Sequence, residues 1–147
     1  INDIQSNLKL SEFVCNAQTA YPSEIRTREV GLHIIMALDR LANCYSQTQN
    51  YLKAKEIYQQ VVGLIQQLKD VEATQINSYL ASTYHQLGYV AQEMREYEQA
   101  RNYYQHALDI KIKFGAFFDS AGTYHNLGVV AQEMREYEQA RNYYQHA

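Results

Sequence analysis

Apolar and small residues recur along the second half of the chain at intervals of three and four. Tyr84, Leu87, Gly88 and Ala91 fall at spacings that put them on one side of a helix. Tyr97, Ala100, Tyr104, Ala107 and Leu108 form a second such stripe, which continues through Lys111 to Phe114. Only Met94, Arg95 and Glu96 separate the two stripes. So short a polar break forces neighbouring helices to pack antiparallel, and the pattern predicts a helical hairpin. Gly115 follows the second stripe, where a left-handed cap is favourable. Lys111 and Lys113 suit the partial negative charge of that helix end. Asp119 or Ser120 then stands where it can cap the next helix.

The hairpin is written more than once. Residues 90–107 read VAQEMREYEQARNYYQHA, and residues 130–147 are identical. Upstream, Ala81, Thr83, Tyr84, His85, Leu87 and Gly88 return 40 positions on as Ala121, Thr123, Tyr124, His125, Leu127 and Gly128. A fixed period of this length marks a repeat architecture, in which each unit buries its apolar faces only by stacking on its neighbours. A glycine inside a helix costs about 1 kcal/mol of propensity. Its return at Gly88 and Gly128 therefore points to close helix approach, with Ala100 opposite and Ala107 against the following repeat.

A diverged unit precedes these two. Leu38, Leu41, Ala42 and Tyr45 repeat the first stripe, and Tyr51, Ala54, Tyr58 and Val61 repeat the second, 46 positions ahead of their counterparts. A turn over 46–50 joins them, and six extra residues are expected within 63–77, lengthening this unit's second helix and the next first helix. Ile4, Leu8, Val14 and Ala17 read as one more helix, ending at Tyr21, Pro22 and Ser23. The expected organisation is thus a helix over 1–22, the second half of a preceding repeat, followed by repeats over 23–69, 70–115 and 116–147. The last stops within the repeated pattern, with its second helix cut short, so a longer parent chain is expected.

Composition agrees with helices. One proline and six glycines in 147 residues favour long helices joined by short turns over a sandwich of many strands. Acidic residues outnumber basic ones 16 to 13, which provides no basic field for nucleic acid. No apolar run approaches the roughly 18 residues of a membrane span, and no signal peptide is present, so a cytoplasmic location is expected. Cys15 and Cys44 form no C-x-x-C pattern and read as buried free thiols in a reducing compartment.

The succession Tyr84, Leu87, Gly88, Tyr97, Ala100, Tyr104, Ala107, kept in spacing through three units over 35–147, resembles the tetratricopeptide repeat family. The unit is 40 residues long where the family's usual period is about 34, and the family's terminal proline is absent. Both departures resemble the longer-repeat subclass found in kinesin light chains and in bacterial multidomain regulators. The resemblance implies an all-α fold, a right-handed α-α superhelix of antiparallel helical hairpins. Its concave wall would be lined by the first helix of each hairpin. Carried over by position, that lining is Asp39, Arg40, Asn43 and Ser46, then Ser82, His85, Gln86, Tyr89 and Gln92, then Gly122, His125, Asn126, Val129 and Gln132. Glu93 and Glu133 would stand at the rim.

Such a lining is rich in amides and imidazoles, which hydrogen-bond an extended or helical peptide. The resemblance therefore implies a non-catalytic protein-interaction module that binds a peptide or a partner domain, and no enzyme. Chaperone-binding relatives clamp a C-terminal carboxylate with lysines and asparagines. Here Asp39, His85 and His125 replace the main clamp lysines, and only Asn43 and Asn126 fit, so a neutral or basic segment is expected instead. An alternative is the regulatory or sensor arm of a larger bacterial protein, a nucleotide-dependent switch or a caspase-like protease. The open last repeat also suggests end-to-end self-association.

No metal or cofactor is expected. His85 and His125, on neighbouring first helices, would stand ~10 Å apart, too far to share a zinc ion. No phosphate-binding or nucleophile motif occurs. Glu93, Glu96 and Glu98 read as a solvated turn, with Glu98 paired to Arg101 along the helix surface. His106 and His146 read as solvated.

Overall fold

The computed structural model describes residues 28–68, 73–115 and 120–147. Among them are six α-helices and no strand: α1 (Arg28–Gln47), α2 (Tyr51–Gln67), α3 (Ala73–Glu93), α4 (Tyr97–Phe114), α5 (Ala121–Glu133) and α6 (Tyr137–His146). The expected helix over 1–22, with Cys15, lies outside the described residues, as do residues 69–72 and Asp119. The chain divides into two compact units, Ile1–Val71 and Glu72–Ala147.

In the first unit α1 packs against α2. Ile35, Leu38, Leu41 and Ala42 from α1 meet the level of Ala54, Tyr58, Val61 and Ile65 from α2, all buried. Each set follows the three-and-four spacing that the sequence predicts, so each helix turns one apolar stripe inward. Tyr45 and Tyr51 stop half-buried at the margin. Cys44 is free but only half-buried, which corrects the expectation of a buried thiol.

The second unit holds two hairpins, α3 with α4 and α5 with α6. Helix α4 packs on α5, and α3 also touches α5. Ala91, Ala100, Tyr104 and Leu108 share one core cluster with Leu127 and Val130, so the apolar surface left by the first hairpin is finished by the second. The recurrent glycine serves this closure in a specific way. A Cβ at position 88 would lie 2.6 Å from the Tyr104 ring, and one at position 128 would lie 2.5 Å from the Tyr144 ring. It is the flat face of a tyrosine, and not the partner helix backbone, that needs the missing side chain.

All three hairpin turns share one backbone. Gln49, Arg95 and Arg135 have φ of 61°, 60° and 62°, in the left-handed region. The N–H groups of Asn50, Glu96 and Glu136 reach back to the carbonyls of Tyr45, Ala91 and Ala131, each at 2.8 Å. Those of Gln49, Arg95 and Arg135 bond Ser46, Gln92 and Gln132. This is a Schellman ending, which satisfies the last carbonyls of the first helix within three residues. The carbonyl of Glu96 then accepts from Ala100 at 2.9 Å, and the second helix has begun. In the first unit the helix continues to Gln47, so its turn is narrower than the expected 46–50.

Two other expectations change. Helix α3 has 21 residues against 13 in α5, whereas α2, with 17, is no longer than α4, with 18. The extra length therefore lies in the first helix of the second unit, not in α2. Gly115 has the expected positive φ, 77°, but its ψ of −151° is not that of a left-handed helical cap; its N–H bonds Ile112 and Lys111. Ser120 does stand at the start of α5, yet it acts through its carbonyl, which accepts from Thr123 and Tyr124, with no bond from its hydroxyl. Lys111 and Lys113 occupy the last turn of α4 as expected.

Candidate functional site

The first helices of the second unit carry most of the polar positions singled out in the sequence. The three-and-four spacing of α3 turns Leu87, Val90 and Ala91 inward, which leaves Ser82, Gln86, Tyr89 and Glu93 along one outer strip. On α5 Gly122, Val129 and Glu133 repeat Ser82, Tyr89 and Glu93, and His125 and Gln132, the equivalents of His85 and Gln92, are exposed beside them. Tyr89 is 39% exposed. Gln86, Gln92, Asn126 and Val129 are half-buried.

His85 does not line this strip as an open contact group. Its ring is held where α3, α4 and α5 meet. Nδ1 lies 3.2 Å from Thr123 Oγ1, and Nε2 lies 3.3 Å from the Asn126 amide nitrogen. The edge of the ring meets Tyr104, with centroids 5.3 Å apart. Lys111 donates to the same Thr123 hydroxyl at 2.8 Å, and Thr123 is fully buried. With Asn126 donating to Nε2, the single proton of the neutral ring sits on Nδ1. Burial, and after it the Lys111 charge, hold the imidazole pKa below its ordinary value. His85 thus ties the first helices of two hairpins together.

Tyr104, also fully buried, donates its proton to Gln92 Oε1 at 3.2 Å. One repeat on, Tyr144 donates to Gln132 Oε1 at 3.3 Å, with the His125 ring 5.6 Å away. Tyr97 donates to Glu133 at 3.2 Å. Sequence reasoning placed Tyr104 as core filler and missed that its hydroxyl orients an amide. The available signal was that a buried phenol needs a hydrogen-bond partner.

In the first unit the amide of Asn43 is engaged at both ends. Its nitrogen donates to Asp39 at 3.1 Å, and its oxygen accepts from Tyr58 at 2.8 Å. Burial pushes the Asp39 carboxyl up, against the pull of Asn43 and of Arg40. Arg40 is exposed and Ser46 half-buried. Asp39 and Asn43 are therefore brought together in one unit, and His85 and Asn126 in the other.

One surface reading is corrected. Arg101 forms its ion pair with Glu136, at 2.7 Å, in the turn of the next hairpin, while Glu98 acts on it only through its charge. His106 and His146 are exposed, but each ring leans on a tyrosine, Tyr84 at 5.1 Å and Tyr124 at 5.3 Å. Among the described residues no three of His, Cys, Asp and Glu converge as a metal-binding group, and no helix is long and apolar enough to cross a membrane.

Antiparallel hairpins closed by the same backbone turn, two of them stacked core on core in the second unit, define a helical-repeat protein. Residues 33–113 and 79–147 match the tetratricopeptide repeat, and the chain belongs to that family. No curated protein matches the sequence. Among solved structures it is similar to BtubC (BKLC) from P. vanneervenii, at 19% identity and a TM-score of 0.69, over 96% of this chain and 52% of that one. It is similar to the apo form of RapI at 19% identity and a TM-score of 0.70, over 81% of this chain and 31% of that one. It also resembles NprR in complex with its cognate peptide NprX, at 22% identity and a TM-score of 0.66, over 90% of this chain and 36% of that one. The chain thus spans about half the length of BtubC and about a third of RapI and NprR. At these identities the likeness is one of fold: all-α, of the helical-repeat type.

Proposed function

We propose that the chain is a non-catalytic protein-interaction module whose second unit holds a peptide or a partner domain on the strip shared by α3 and α5. The observation that carries this reading is Tyr89, a large aromatic side chain 39% exposed on α3, which also carries Gln86 and Gln92 and touches α5 with its His125 and Gln132. A tyrosine offers wide contact area at low entropic cost, and amides pair with peptide groups in either sense. That NprR is solved with a bound peptide supports a partner of this kind. Glu93 and Glu133 lie along the strip with no lysine or arginine between them on either helix, which favours a neutral or basic segment over a carboxylate terminus.

The test starts from a display library of random peptides selected on the purified chain. Tyr89→Ala and His125→Ala should each weaken the selected peptide several-fold while helical content by circular dichroism stays that of the parent. Binding equal to the parent's in both variants would remove the strip from consideration.

A further inference from the structure

The hydrogen bonds that run into the strip have a fixed direction. Lysine can only donate, and Lys111 gives a proton to Thr123 Oγ1. His85 meets that same oxygen through Nδ1 and receives Asn126 on Nε2. Asn126 therefore presents its amide nitrogen to the His85 ring. Tyr104, whose ring meets that imidazole, gives its one proton to Gln92 Oε1. The Gln92 oxygen is thereby held toward Tyr104, with one of its two lone pairs taken, and its two N–H groups are left without a partner among the described residues. Tyr144 treats Gln132 in the same way 40 positions on.

We infer that Tyr104 and Tyr144 are positioning residues that turn Gln92 and Gln132 into a matched pair of N–H donors, suited to the main-chain carbonyls of an extended segment laid across α3 and α5. The inference rests on the proposed interaction strip and adds what the strip reads. An unheld glutamine offers donor and acceptor alike and pays to choose between them. A glutamine whose oxygen is held on a tyrosine hydroxyl is oriented with its N–H groups free for the partner, and so favours carbonyls over N–H donors. Recognition through carbonyls uses a group that every residue of the partner carries, so it tolerates varied partner side chains. The two amides are not equally held. Tyr104 is fully buried behind Gly88, whereas Tyr144 is 37% exposed. Gln92 is the more rigid donor of the two.

Side-chain amide signals of the 15N-labelled chain test this directly. Tyr104→Phe keeps the ring against Gly88 and removes only the hydroxyl. Its Gln92 amide protons should collapse toward the shifts of a free glutamine, while those of Gln132 stay in place; Tyr144→Phe should do the reverse. The probe for donor function is a capped alanine tripeptide, acetylated and amidated, which brings carbonyls and no functional side chain. At millimolar concentration it should move the Gln92 and Gln132 amide protons of the parent, and the Gln92 shift should vanish in Tyr104→Phe. For a display-selected peptide, each Phe variant should raise Kd roughly two- to tenfold, the net worth of one hydrogen bond.

Unchanged Gln92 signals in Tyr104→Phe would overturn the inference, as would tripeptide shifts that spare both amides. If a selected peptide moves the Tyr89 signals and leaves both glutamine amides untouched, the strip stands and the donor pair falls. If it moves neither, the strip itself is wrong.

Discussion

The ring of Tyr104 occupies the space that a methyl group on Gly88 would need, with Cδ1 and Cε1 both 2.6 Å from an added Cβ. Tyr104 is fully buried and cannot swing outward. Gly88→Ala therefore gains about 1 kcal/mol of helix propensity and loses up to about 3 kcal/mol through overpacking. A net destabilisation of roughly 1–2 kcal/mol is expected by urea unfolding. Gly128→Ala should cost less, because Tyr144 is partly exposed and its ring can move aside. Gly63→Ala is the control: nothing lies within 4 Å of its added Cβ, and α2 should be stabilised by about 1 kcal/mol. A Gly88→Ala chain as stable as the parent would show that the ring does not require the glycine.

Arg95 and Arg135 hold left-handed backbone conformations at φ of 60° and 62°, where an L side chain costs about 1–2 kcal/mol. Arg95→Gly and Arg135→Gly should each raise stability, by less than that cost because glycine also gives the unfolded chain more freedom. About 0.5–1 kcal/mol per turn is expected from chemical denaturation, and the double variant should show the sum. A loss of stability in Arg95→Gly would mean that the arginine side chain makes contacts worth more than the strain.

The stripes were legible in the sequence because repetition and helical spacing agree. Leu87, Ala91, Ala100, Tyr104 and Leu108 all proved buried. What stayed hidden depends on which helices meet. His85 and Asn126 are 41 positions apart, and no rule of local spacing joins them. Arg101 was matched to Glu98 by the three-residue rule along one helix. The closer carboxylate, Glu136, belongs to the next hairpin and only the packing of α4 on α5 brings it near. The turns were seen as short but not as left-handed, because the residue at the turning point is arginine or glutamine and not glycine. Gly88 was rightly tied to close approach, yet the approaching group is a side chain that spacing alone does not identify.

His85 makes the second unit sensitive to acid. Its native pKa lies below the unfolded value of about 6.5, first through burial and then through Lys111. As pH falls below that unfolded value, the unfolded chain takes up a proton that the native ring refuses. The stability present above about pH 6.5 is therefore lost progressively as pH falls through the native pKa. His85→Gln removes the titration, so its stability should fall less than the parent's between about pH 7.5 and pH 5. Lys111→Met should move the His85 titration, followed by its Cε1 proton, back toward higher pH. A His85 signal that titrates above 6.5, or that ignores Lys111→Met, would contradict the buried bridge.

Arg101 joins the two hairpins of the second unit at their edge, with its guanidinium on Glu136 Oε2 at 2.7 Å and against Met134. Both partners are partly exposed, at 23% and 33%, so solvent screens the pair and its worth is at the level of a surface bridge, about 0.2–1 kcal/mol. Arg101→Ala should cost more than Glu136→Ala, because it also strips the packing on Met134. A double-mutant cycle isolates the charge pair, and its coupling should shrink as salt rises from about 50 mM to 500 mM. The same cycle run on Arg101 and Glu98 should give a smaller coupling, since those two share a helix but not a hydrogen bond. If the Glu98 cycle gave the larger value, the inter-hairpin contact would not be the one that orders Arg101 in solution.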